Sequence, residues 1–76
     1  MLYFDRSTLD DVLSTLKRRY GVEIKVSNPE ILKCRIKAEF KDASIETILE
    51  VLSFDANFKY EIDDNTIYIT GKGCLN

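Results

Sequence analysis

The sequence predicts an α+β domain of order β-α-β-β-α-β-β, built from two pseudo-symmetric βαβ units, and three observations carry that prediction. The chain repeats itself at an offset of 36 residues. Each copy sets apolar residues at helical spacing between stretches that alternate apolar and polar. A last alternating stretch, without counterpart in the first copy, follows a two-residue turn.

The repeat needs no gap. Phe4 falls on Phe40, Leu9 on Ile45, Val12 on Ile48, Leu13 on Leu49 and Leu16 on Leu52. Further along, Val22 falls on Phe58, Ile24 on Tyr60 and Val26 on Ile62. The punctuation agrees as well, with Thr8 over Ser44, Asp10 over Glu46 and Gly21 over Asn57. Two copies are too few for a solenoid, so the pair is expected to close one core.

In the first unit Leu9, Val12, Leu13 and Leu16 recur at i, i+3, i+4 and i+7, the stripe of an amphipathic helix. Ser7 or Thr8 caps its start; Ser7 with Asp10, or Thr8 with Asp11, has capping-box spacing. Asp10 and Asp11 in the first turn and Lys17, Arg18 and Arg19 in the last complement the helix dipole. Gly21 permits the left-handed residue that ends the helix. Val22, Ile24 and Val26 then alternate with Glu23, Lys25 and Ser27, a strand with one buried face. Asn28-Pro29 suits an N-cap followed by proline at the first helical position, so Asn28 to Leu32 reads as a single turn.

The second unit opens on Cys34, Ile36, Ala38 and Phe40, alternating with charged residues. Its helix is expected from about Ser44 to Phe54, with Ile45, Ile48, Leu49 and Leu52 inward and Asn57 in the role of Gly21. Phe58, Tyr60 and Ile62 form the next strand, and Asp64-Asn65 a two-residue turn. Setting Asp63 opposite Thr66 places Ile62 opposite Ile67 and Tyr60 opposite Ile69, both pairs on one face. The final strand, Thr66 to Thr70, is unrepeated and carries little charge, so it is expected at a sheet edge. Residues 1–71 then form the single domain and 72–76 a flexible tail.

Composition limits the function. With 76 residues, 45% hydrophobic and 32% charged, the chain is an ordinary globular domain rather than a disordered one. A formal charge of −2 argues against a general nucleic-acid binder, and Lys17-Arg18-Arg19 is explained by its place at a helix end. No stretch reads as a signal peptide or a membrane span. With no histidine, the commonest general base and metal ligand is missing. Asp10/Asp11 and Asp63/Asp64 sit where aspartate is favoured structurally, at a helix start and in a turn, without calcium-loop spacing. Gly71-Lys72-Gly73 follows the last strand with no helix behind it, which is not a phosphate cradle. The expectation is binding without catalysis, cofactor or metal.

Cys34 and Cys74 have no metal or redox spacing. A disulfide between them stays open; Cys34 reads first as a small apolar strand residue, and Cys74 as part of a tail that packs against little. Phe4, Phe40, Phe58 and Tyr60 fall at inward positions. Tyr3 and Tyr68 fall outward, where tyrosine is enriched at protein interfaces.

Taken in order, Phe4, Leu9, Val12-Leu13, Leu16, Tyr20-Gly21-Val22, Ile24 and Asn28-Pro29-Glu30-Ile31-Leu32 resemble the C-terminal domain of FecR-type anti-sigma factors, in its Bacteroidetes form. Phe40, Ser44-Ile45-Glu46, Ile48-Leu49, Leu52, Tyr60-Glu61-Ile62 and Asn65-Thr66-Ile67-Tyr68-Ile69 continue the resemblance. The same plan is similar to the short N-terminal domain of secretins and TonB-dependent receptors. That likeness implies two helices sandwiched between a two-stranded and a three-stranded sheet. The FecR resemblance implies a periplasmic domain of an inner-membrane protein, whose partner is the N-terminal signalling domain of a TonB-dependent outer-membrane receptor. An extracytoplasmic-function sigma factor would be held by parts absent from this chain. On this reading Thr66, Tyr68 and Thr70 are the candidate docking residues, by edge addition of a partner strand. A receptor or secretin signalling domain is the alternative, and a small nucleic-acid-binding module the second.

Overall fold

Helix punctuation does most of the local work. In the computed structural model, which describes residues 2–73, Thr8 caps the first helix by accepting a hydrogen bond from the Asp11 amide at 3.2 Å. That helix, α1 (Leu9–Tyr20), ends on Gly21 in the left-handed conformation, φ 64°. Ser44 caps the second, α2 (Ile45–Ala56), in the same way, and Asn57 ends it at φ 54°. The two helices thus have matched caps at both ends, 36 positions apart. The observed α2 runs two residues beyond the predicted Phe54 and ends on the residue expected to stop it.

The strands are β1 (Leu2–Thr8), β2 (Glu23–Val26), β3 (Arg35–Phe40), β4 (Phe58–Asp63) and β5 (Thr66–Gly71). A 3₁₀ turn over Pro29–Lys33, capped by Asn28, joins β2 to β3. β1 pairs antiparallel with β3 to make the two-stranded sheet. A bulge at Asp5-Arg6 interrupts β1, with Arg6 at φ 57°, and the Arg35 guanidinium donates to the Arg6 carbonyl at 3.1 Å. The other sheet has the order β2-β5-β4, with β5 parallel to β2 and antiparallel to β4. The helices lie between the two sheets, as expected from the resemblance.

β5 is therefore central, not the edge expected from sequence. Its inward side chains, Ile67 and Ile69, are each 1% exposed. Their neighbours are Ile24 and Val26 on one side and Ile62 and Tyr60 on the other. The scarcity of charge on this strand reflects pairing along both edges rather than an unprotected edge.

The core joins Leu9, Val12, Leu13 and Leu16 of α1 to Ile48, Leu49, Leu52 and Ala56 of α2, closed by Phe4, Phe40 and Phe58. Ile45, expected inward, is only half-buried at the start of α2. No polar or charged residue is buried among the described residues. Cys34 is buried and disulfide-bonded, so its reading as a plain small apolar residue gives way. The sequence has one other cysteine, Cys74, and the expectation made for it lies outside the described residues.

Candidate protein-docking face

Alternation along β5 sends Thr66, Tyr68 and Thr70 to the outer face of the three-stranded sheet. Register then surrounds them. Tyr68 stands between Lys25 of β2 and Glu61 of β4, and Thr66 between Glu23 and Asp63. Thr70 is opposite Lys59. Tyr68 is 43% exposed at the centre of this face, an aromatic with a polar tip among charges of both signs. The sequence placed these three residues together correctly. What they form is the middle of a sheet face, and their strand is unavailable for edge addition because both its sides are paired.

The other outward tyrosine, Tyr3, is 59% exposed on β1 and faces out beside Glu39 of β3. It belongs to the opposite sheet, so the structure does not bring it to Tyr68. Lys17, Arg18 and Arg19 are exposed in the last turn of α1. The only ion pair among the described residues is Lys33–Glu30, so none of these three cations has an acidic partner there.

Sequence reading missed Phe54, which is 88% exposed on α2 with Val51 near it at 40%. Extending the Ile48, Leu49, Leu52 stripe to Ala56 would have found it, because that stripe turns position 54 away from the core.

No group of three or more metal-ligating side chains occurs among the described residues. None of their helices is long and apolar enough to cross a membrane. The face is polar, open and centred on an aromatic side chain, an arrangement suited to contact with another protein.

Comparison with known proteins gives one family and one structural likeness. A family model described as FecR, C-terminal, matches residues 1–69. Two crystal structures of a candidate anti-sigma factor from Parabacteroides distasonis, at 1.65 and 2.50 Å resolution, superpose with a TM-score of 0.81 at 25% identity. Each match covers 93% of this chain and 34% or 33% of the other, so this chain spans about a third of their length. The comparison with curated proteins found no match.

Proposed function

The chain belongs to the FecR C-terminal family, and from that membership we propose that it is a non-catalytic protein-interaction domain of an anti-sigma regulator. On this reading it receives the N-terminal signalling domain of a TonB-dependent outer-membrane transducer. Control of an extracytoplasmic-function sigma factor is exerted by parts of the protein outside this chain. The observation that carries the docking role is the outer face centred on Tyr68, with Thr66 and Thr70 in the same row and Lys25 and Glu61 on either side. The likeness to a candidate anti-sigma factor supports the regulatory class. The disulfide at Cys34 supports a periplasmic location, since such bonds persist in oxidising compartments.

Calorimetry with the cognate transducer's purified signalling domain tests both parts. Binding that weakens about tenfold or more in Tyr68→Ala, as interface tyrosines often do, is the expected result. Absence of binding removes the transducer as partner. Binding unchanged in Tyr68→Ala, and in Thr66→Ala with Thr70→Ala, moves the docking surface elsewhere.

A further inference from the structure

The edge that sequence assigned to β5 exists on β2 and on its repeat partner β4, and the two edges differ in what lies beneath them. The Glu23 amide donates to the Asn65 carbonyl at 2.8 Å and the Ser27 amide to the Ile69 carbonyl at 3.0 Å. Backbone groups alternate in direction along a strand, so Ile24 and Val26 turn their N–H and C=O groups to the open side. Beneath that edge lies a groove of about 210 Å³ between β2 and α1. Leu13, Ile24, Val26 and Leu32 line it, and Asp10, Ser14 and Lys17 form its helical rim, acidic toward the start of α1 and basic toward its end. Ile24, Val26 and Leu32 are only partly buried.

The corresponding place in the second unit has a different lining. Position 24 becomes Tyr60, a larger side chain packed against the core, and position 26 becomes Ile62, which is 41% exposed. The rim differs too: Lys17 corresponds to Ser53 and Arg18 to Phe54. The first unit thus combines outward-facing strand amides, an apolar floor and, at one end, the cations Lys17 and Arg18, which have no acidic partner among the described residues.

We propose that this edge and groove dock an extended acidic segment of a partner protein, which adds to the sheet as a fourth strand beside β2. Its alternate apolar side chains enter the groove over Leu13 and Leu32, and its carboxylates meet Lys17 and Arg18. Backbone bonds to Ile24 and Val26 supply affinity, and the groove with its charged end supplies selectivity. The surface is distinct from the Tyr68 face, so either assignment can fail without the other.

The probe is an eight-residue acetylated peptide alternating valine and threonine, with two aspartates at one end. Titration into the folded domain is expected to slow hydrogen exchange at the Ile24 and Val26 amides. Methylating alternate backbone nitrogens of the peptide, on the side that meets β2, is expected to weaken binding about tenfold or more, the scale of a lost set of backbone bonds. Lys17→Glu should weaken the aspartate peptide similarly and favour a version ending in two lysines, while Tyr68→Ala leaves both unchanged. The proposal is overturned if no binding occurs, if the methylated peptide binds equally, or if protection falls on Phe58–Asp63 instead. It is also overturned if sedimentation shows β2 already covered by a second copy of the chain.

Discussion

Asn57 and Gly73 hold each other twice. The Gly73 amide donates to the Asn57 carbonyl at 3.2 Å, and the Asn57 side-chain amide donates to the Gly73 carbonyl at 3.2 Å. One residue therefore ends α2 in the left-handed conformation and anchors the backbone that leaves β5. Asn57→Ala is expected to cost about 1–2 kcal/mol from the positive φ alone. Asn57→Gly should keep the helix end but lose the side-chain bond, with faster hydrogen exchange at Gly73. Equal stability of the alanine variant and wild type in urea melts would remove the conformational argument.

Leu13 and Leu49 occupy equivalent positions of the repeat, 4% and 0% exposed. Truncating either to alanine is expected to cost on the order of 2–5 kcal/mol, as buried leucines do. Since each unit supplies one wall of the same core, urea melts should show similar losses for both. A loss under ~0.5 kcal/mol, normal for plain surface sites, would contradict the shared core.

Proline scanning should separate centre from edge. Tyr68 turns its backbone groups toward β4, because its neighbour Ile69 already accepts from Ser27, the residue after β2. Tyr68→Pro removes a ladder bond inside the sheet, and the orphaned acceptor alone costs about 1–3 kcal/mol. Val26→Pro removes only an N–H that faces the open side, a place where strands tolerate proline. Thermal melts are expected to rank Tyr68→Pro well below Val26→Pro, and the reverse order would refute the β2-β5-β4 arrangement.

Gly71 admits no side chain. A Cβ there would lie 2.6 Å from the Phe58 Cα and 2.8 Å from the Asn57 carbonyl oxygen, both backbone atoms that cannot swing away. The Gly71 carbonyl also accepts from the Asn28 side chain at 3.0 Å. Gly71→Ala is expected to cost about 1–3 kcal/mol, the usual range for overpacking, and denaturant titration reads it directly.

Reducing the disulfide at Cys34 is expected to lower stability by about 2–4 kcal/mol. In a domain of this size that is a fall in Tm of roughly ten degrees or more. An unchanged melt in excess dithiothreitol would deny the bond a stabilising role.

Local structure was legible because single residues announce it. Thr8, Gly21, Asn28-Pro29, Ser44, Asn57 and Asp64-Asn65 each satisfy a backbone demand that few other residues meet. The hairpin register followed from alternation alone, with Ile62 opposite Ile67 and Tyr60 opposite Ile69 as expected. Pairing between distant segments leaves no such mark, so nothing in Glu23–Val26 indicates that Thr66–Gly71 will lie parallel beside it. The three candidate residues were grouped correctly by period, but the edge argument failed because low charge has two causes, neglect of an edge or a place in the middle. The bulge at Asp5-Arg6 had no glycine to signal it, and the exposure of Phe54 was hidden by ending the helix early.

The place of β5 also sets an order of events in time. β2 and β4 cannot be joined until the segment that follows both has emerged and slotted between them; Ile24 meets Ile67 only across a long intervening chain. Such late, non-local closure slows folding relative to a hairpin meander. Until it happens, the α1 and α2 faces have a two-stranded sheet on one side and an unfinished layer on the other. A polypeptide released before residue 66 would keep its helix caps and still fail to assemble. Completion of the last strand is thus the step that turns two marginal half-units into one cooperative body.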